Sequence, residues 1–189
     1  MNNVAVYLGS SAGAQPAYAD AARELGSAIA AAGMGLVYGG GKVGLMGIVA
    51  DAVLAGGGSV TGVITDDLRL REVGHDGLTE LISVPTMHER KALMAERADG
   101  FIAIPGGFGT LDEFFEVLTW GQLGIHAKPC GLLNVAGYFD ALLSFLEHAS
   151  TERFLHPGHV ENLIVEGAPN TLIERLMQHQ PRNPEKWLG

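Results

Sequence analysis

The chain of 189 residues is expected to fold as an α/β, Rossmann-like protein: a doubly wound parallel sheet of about seven strands in a single domain. Three observations predict this. Short apolar runs alternate with longer stretches of helical periodicity. The runs are continuously apolar, as in strands covered on both faces. Several of them end in glycine clusters at what become the carboxyl ends of strands, where open α/β sheets bind ligands near a topological switch point.

The elements follow in order. "VAVYL" (4–8) reads as a strand. Residues 16–33 read as a helix, with Pro16 in its first turn and Gly33 past its end. "GLVYG" (35–39) is the next strand and 44–57 the next helix. "SVTGVIT" (59–65) and "ELISV" (80–84) are strands, and "MHERKALMAERA" (87–98) is helical, with Met87 and Met94 expected in the core. Strand 101–104, helix 110–123, strand 130–135 and helix 138–150 come next. "NLIVEG" (162–167) and 168–178 repeat the alternation. The domain is expected over 1–180, with a loosely held proline-rich tail at 181–189.

Composition bounds the function. Hydrophobic residues make up 47% and charged residues 17%, which argues against disorder. The net charge of −9 repels nucleic acid, so any anion site must be built locally. The single cysteine, Cys130, can form neither an intrachain disulfide nor a zinc cluster. The N-terminus lacks a basic start and a long apolar segment, and no run reaches the ~18 residues of a membrane span. No membrane partner is expected, and the cytoplasm is the expected location.

Three glycine loops follow strands. In "GSSAG" (9–13), Ser10 and Ser11 are placed to donate to a phosphate or to cap the next helix. "GGGKVGLMG" (39–47) contains the Gly39-x-Gly41-x-x-Gly44 spacing, but after the second strand, and Val43 stands where a P-loop needs Ser or Thr. Gly40 and Gly41 there suit either a turn or a phosphate or ribose contact. In "IPGGFGTLDEFFE" (104–116), Gly106, Gly107 and Gly109 leave room for a ligand against the main chain, and Thr110 is expected to open a helix. Unpaired N–H groups and the helix dipole there favour an anion, and a phosphate is the natural occupant.

Glu113 admits two readings. "TLDE" matches a capping box that folds Glu113 back onto Thr110. Alternatively Glu113 faces the anion site, with Glu116 on the same helix face. Two carboxylates there need a nearby cation, and Arg90 and Lys91 of "MHERKALM" are the candidates; a solvated helix face is their bland alternative.

Together, "GSSAG", "LVYGGGKVGLMG", "MHERKALM", "PGGFGTLDE" and "WGQLGIHAKPCGLLNVAGYFDALLSFL" resemble the "Lonely guy" family of cytokinin-activating phosphoribohydrolases, also labelled lysine decarboxylase-like. The resemblance spans roughly residues 4 to 155. It implies a Rossmann-like homodimer that hydrolyses the N-glycosidic bond of AMP or its N6-prenylated forms to free base and ribose 5-phosphate. It assigns Arg90 and Glu113 as the catalytic pair and Lys91 as their neighbour. It assigns Gly107, Phe108, Gly109, Thr110, Leu111 and Asp112 to the phosphate and ribose loop, and Glu72 and Thr119 to further substrate contacts. Asp112 departs from the glutamate that many members carry.

N-glycosidic cleavage passes through an oxocarbenium-like state, which a carboxylate stabilises. Glu113 is expected in that role, with a pKa depressed by the helix N-terminus. No step needs a metal or an organic cofactor. The apolar residues of 111–123 lie on more than one stripe, as in a central helix or a dimer interface. Two rival readings stand beside this one. A PLP-dependent decarboxylase needs a Schiff-base lysine, for which Lys42, Lys91 and Lys128 lack the setting in sequence. A non-catalytic nucleotide-binding module has no use for Glu113 beside Arg90.

Overall fold

The computed structural model describes residues 1–72 and 74–179, excepting the side chains of 70–72. The tail expected at 181–189 lies outside the described residues. The chain runs β1 (Asn3–Tyr7), α1 (Pro16–Ala31), β2 (Gly35–Tyr38), α2 (Gly44–Ala55), β3 (Val60–Thr65), α3 (Asp66–Glu72), β4 (Glu80–Val84) and α4 (Met87–Arg97). It continues through β5 (Gly100–Ala103), α5 (Phe108–Gln122), β6 (Cys130–Leu133), a 3-10 turn (Val135–Gly137), α6 (Asp140–Thr151), α7 (Pro157–Glu161), β7 (Leu163–Glu166) and α8 (Pro169–Gln178).

The strands form one sheet in the order β4-β3-β2-β1-β5-β6-β7. Every neighbouring pair is parallel. The expected doubly wound sheet is therefore present. The chain winds outward from β1 to β4, then returns to lay β5 on the other side of β1. That reversal puts the switch point between β1 and β5.

Strands β1, β2, β5 and β6 are buried almost throughout, because helices cover both faces. One apolar cluster, including Leu25, Val49 and Leu172, joins α1, α2 and α8 to the sheet. The other, including Met94, Phe114 and Leu146, joins α4, α5 and α6 to the opposite face.

Two short helices, α3 and α7, were not expected. With seven and five residues, neither shows a full apolar period in sequence. Helix α5 starts at Phe108, two residues before the expected Thr110, with Gly107 as its N-cap. Gly109 in the first turn hides this start, since glycine is a poor helix former.

Candidate active site

The loops after β1, β2 and β5 converge at the switch point. The Gly9 amide donates to the Pro105 carbonyl at 3.2 Å, and the Leu45 amide donates to the Gly9 carbonyl at 3.2 Å. Gly44 makes this convergence possible. Its φ is +60°, and a Cβ there would lie 2.3 Å from the Ser10 carbonyl carbon. The Gly-rich spacing after β2 thus serves close packing of one loop on another. Gly40 and Gly41 serve the turn as well. The Gly40 carbonyl accepts from the His75 amide at 3.0 Å, and the Gly41 carbonyl accepts from the Tyr38 hydroxyl at 3.1 Å. Neither lines the cleft described next.

Below these loops lies a cleft of about 360 Å³. Its polar wall is formed by Ser10, Arg90, Asp112, Glu113 and the first turn of α5 from Gly107 to Thr110. Leu8, Met46, Leu68 and Met87 supply apolar surface. Met87 is thus no core residue: it is 42% exposed at the cleft, because it opens α4 rather than facing the sheet.

Arg90 comes from the first turn of α4. Thr86 caps that helix, its Oγ1 accepting from the Glu89 amide at 3.2 Å, and Glu89 Oε1 accepts from the Thr86 hydroxyl at 3.1 Å. This Thr-x-x-Glu pair, rather than Thr110–Glu113, behaves as a capping pair. The cap sets the phase of α4 and turns Arg90 inward, where it is 5% exposed. Its Nε donates to the Val63 carbonyl at 2.9 Å, its Nη2 to the Gly39 carbonyl at 3.4 Å and its Nη1 to Glu113 Oε1 at 2.6 Å. A solvated face for Arg90 is thereby overturned. Gly39 is required beside it, since a Cβ at that position would fall 2.1 Å from Arg90 Nη2.

Glu113 sits in the second turn of α5, too far along the helix to cap it, and its side chain is 11% exposed. Burial raises its pKa above the ordinary glutamate value, opposed by the charge and hydrogen bond of Arg90. The expected depression of this pKa is thus corrected: loss of hydration outweighs the favourable charges. Glu113 and Glu116 each have a nearby cation, though not a shared one. Arg90 takes Glu113, while Lys91 Nζ bridges Asp112 Oδ2 at 3.1 Å and Glu116 Oε1 at 3.2 Å. Burial disfavours the charge on Lys91, but its bonds to Asp112 and Glu116 prevail and raise its pKa.

The N-terminus of α5 carries no side-chain cap. Its first-turn amides have no intrahelical acceptors by construction. Thr110 Oγ1 is buried beside them without a hydrogen-bond partner. The fold therefore gathers Ser10, Arg90, Gly107, Phe108, Gly109, Thr110, Asp112 and Glu113 at one cleft, with Lys91 and Glu116 alongside. It does not bring in Leu111, which packs toward the core, or Thr119. The Thr119 hydroxyl donates to the Phe115 carbonyl at 2.7 Å, and Thr119 lines a separate cavity beside β6. The side chain of Glu72 lies outside the described residues. Sequence reasoning missed Val63, whose part is played by its main chain and leaves no side-chain signal. It also missed Gly39 as the space for a guanidinium, although a glycine ending a buried strand was the available clue.

Residues 46–176 match the family model described as "Possible lysine decarboxylase". A probable cytokinin riboside 5′-monophosphate phosphoribohydrolase of Oryza sativa subsp. japonica is 48% identical over 180 residues, covering 95% of this chain and 72% of that protein. A cytokinin riboside 5′-monophosphate phosphoribohydrolase of Arabidopsis thaliana is 48% identical over 184 residues, covering 96% and 84%. The chain belongs to the Lonely guy family. Solved structures share its fold, among them the molybdenum cofactor carrier protein of Chlamydomonas reinhardtii, with a TM-score of 0.71 at 22% identity over 94% of this chain and 96% of that one. Two of the lysines that the decarboxylase label would need are held by other contacts in this Lonely guy chain. Lys91 is committed to two carboxylates, and Lys128 Nζ donates to the Ala95 carbonyl at 2.7 Å.

Proposed function

We propose that this chain hydrolyses the N-glycosidic bond of a nucleoside 5′-monophosphate, AMP or an N6-prenylated AMP, to the free base and ribose 5-phosphate. One observation carries this reading: a buried Arg90–Glu113 pair at 2.6 Å stands one helical turn from an uncapped helix N-terminus. The first-turn amides and Thr110 hydroxyl take the 5′-phosphate. The sugar then lies against Glu113.

As the bond to the base breaks, positive charge grows on the ribose. An ionised carboxylate in a poorly hydrated cleft stabilises that charge more than it would in water. It also orients the attacking water. Arg90 offsets part of the cost of ionising Glu113 in a buried place and holds it in position. Binding energy from the phosphate is used to orient the sugar, so nucleosides lacking the phosphate are poor substrates in kcat/KM. A charged nucleotide does not cross membranes unaided, so the reading goes with a cytoplasmic location.

The same reading includes a homodimer. Helix α5 and the residues after it leave apolar surface open, with Leu123 46% and Ile125 65% exposed. Thr119 lies six residues beyond Glu113, about 9 Å along the helix. As a substrate contact it serves the cleft of a second copy better than its own.

The decisive experiment incubates the protein with the monophosphates of adenosine and isopentenyladenosine and chromatographs for free base. Wild type is expected to release base, and Glu113→Gln and Arg90→Ala to lose release by orders of magnitude. Full release by either variant rejects the assignment.

A further inference from the structure

We propose that Tyr138, which belongs to none of the glycine loops, is a positioning residue that aims the peptide between Gly106 and Gly107 at the substrate's phosphate. The inference rests on the nucleotide monophosphate reading.

The side chain reaches this peptide from outside the cleft. Tyr138 follows the 3-10 turn after β6, where Ala136 and Gly137 both adopt positive φ, of 51° and 71°. Its amide donates to the Val135 carbonyl at 3.0 Å. Its ring meets Tyr18 of α1 edge-on, with centroids 5.8 Å apart, and meets Phe139 at 5.0 Å. From that seat the Tyr138 hydroxyl donates to the Gly106 carbonyl at 2.6 Å.

The consequence follows from peptide geometry. The bond is trans, so the Gly106 C=O and the Gly107 N–H point to opposite sides of one plane. Fixing the carbonyl toward Tyr138 turns the Gly107 N–H the other way, and Gly107 lines the cleft. Neither residue of this peptide bears a side chain that would restrain the plane. It is flanked by glycine on both sides, and glycine permits backbone rotations that other residues forbid. Among the described residues, the hydroxyl of Tyr138 is the hydrogen-bond donor to this carbonyl. A rotated peptide would present its oxygen to the phosphate and withdraw one donor. A second observation marks the same spot as a ligand site: the buried, unpartnered Thr110 hydroxyl lies beside Gly106, 2.0 Å from where a Cβ there would sit.

The test is Tyr138→Phe, which keeps both ring contacts and removes the donor. Tyr18→Phe serves as the control, since it keeps the ring against Tyr138. For Tyr138→Phe, kcat/KM for AMP is expected to fall about tenfold, mostly through KM, as for a lost hydrogen bond. The residual rate on adenosine, which has no phosphate to grip, is expected to stay within twofold, so the ratio of the two substrates changes. Ribose 5-phosphate, measured by calorimetry, is expected to bind about tenfold more weakly to Tyr138→Phe than to wild type or Tyr18→Phe. Equal ribose 5-phosphate affinity in all three proteins overturns the inference, as does an equal loss on AMP and adenosine. A wild type that binds ribose 5-phosphate but releases no base from AMP instead rejects the hydrolase reading, while weaker binding by Tyr138→Phe still supports the role of Tyr138.

Discussion

Gly39→Ala separates the alignment of the Arg90–Glu113 pair from the stability of the fold. Gly39 does not have positive φ, so alanine meets no backbone strain there. What it meets is the Arg90 guanidinium, with Cβ 2.1 Å from Nη2. Ordinary contact is about 3.5 Å, so the group must retreat by about 1.4 Å. It is held by the Val63 carbonyl and by Glu113, and retreat loosens the 2.6 Å bond between Nη1 and Oε1. A misplacement of about 1 Å in a catalytic group costs roughly 10²-fold in rate. The stability cost is smaller, because the end of a side chain yields more easily than backbone. Taking the lower end of overpacking penalties, about 1 kcal/mol, Tm falls by roughly 2–4 °C for a chain of this size. The assay is kcat/KM for base release beside a thermal melt, with Gly167→Ala as control, since a Cβ at Gly167 meets open space. Gly39→Ala is expected to lose about 10²-fold in kcat/KM while remaining folded at the assay temperature. Activity within twofold of wild type would refute the claim that Arg90 must sit where it does.

The raised pKa of Glu113 in the free protein places the acid limb of kcat/KM above the ordinary glutamate value near 4.5, a shift that a pH–rate profile reads. Linkage has the same sign: a carboxyl whose folded pKa is raised contributes stability while protonated and loses it as pH rises through the folded value, so urea midpoints of wild type should drop relative to Glu113→Gln over that window. Thr110→Val removes a buried hydroxyl with no protein partner, so Tm should hold or rise, while KM for AMP increases about tenfold; an unchanged KM removes Thr110 from the phosphate site. Combining Leu123→Asp with Ile125→Asp charges exposed positions; light scattering is expected to show the proposed dimer for wild type and a monomer for this variant, and an intact dimer in the variant excludes this face.

The sheet was legible because covering both faces of a parallel strand leaves a continuous apolar run, and all such runs became strands within a residue or two of their expected ends. The cleft at the end of β5 was legible for a related reason: glycines crowded between a buried strand and a helix announce a close approach to main chain. The partners of the charged residues were not legible in the same way. "TMHE" and "TLDE" present one pattern twice, yet Thr86–Glu89 caps α4 while Glu113 turns to Arg90. The difference is where each helix starts relative to its threonine, and Gly107 as N-cap decides it for α5. Local sequence, then, determined the strands, the end of the sheet where the cleft lies and the residues that line it. Tertiary structure alone decided the sign of the Glu113 pKa shift, the seat of Arg90 between two carbonyls and the reach of Tyr138 to the Gly106 carbonyl. Each depends on loss of water or on atoms brought together from distant strands, and neither is a property of a residue's neighbours in the chain.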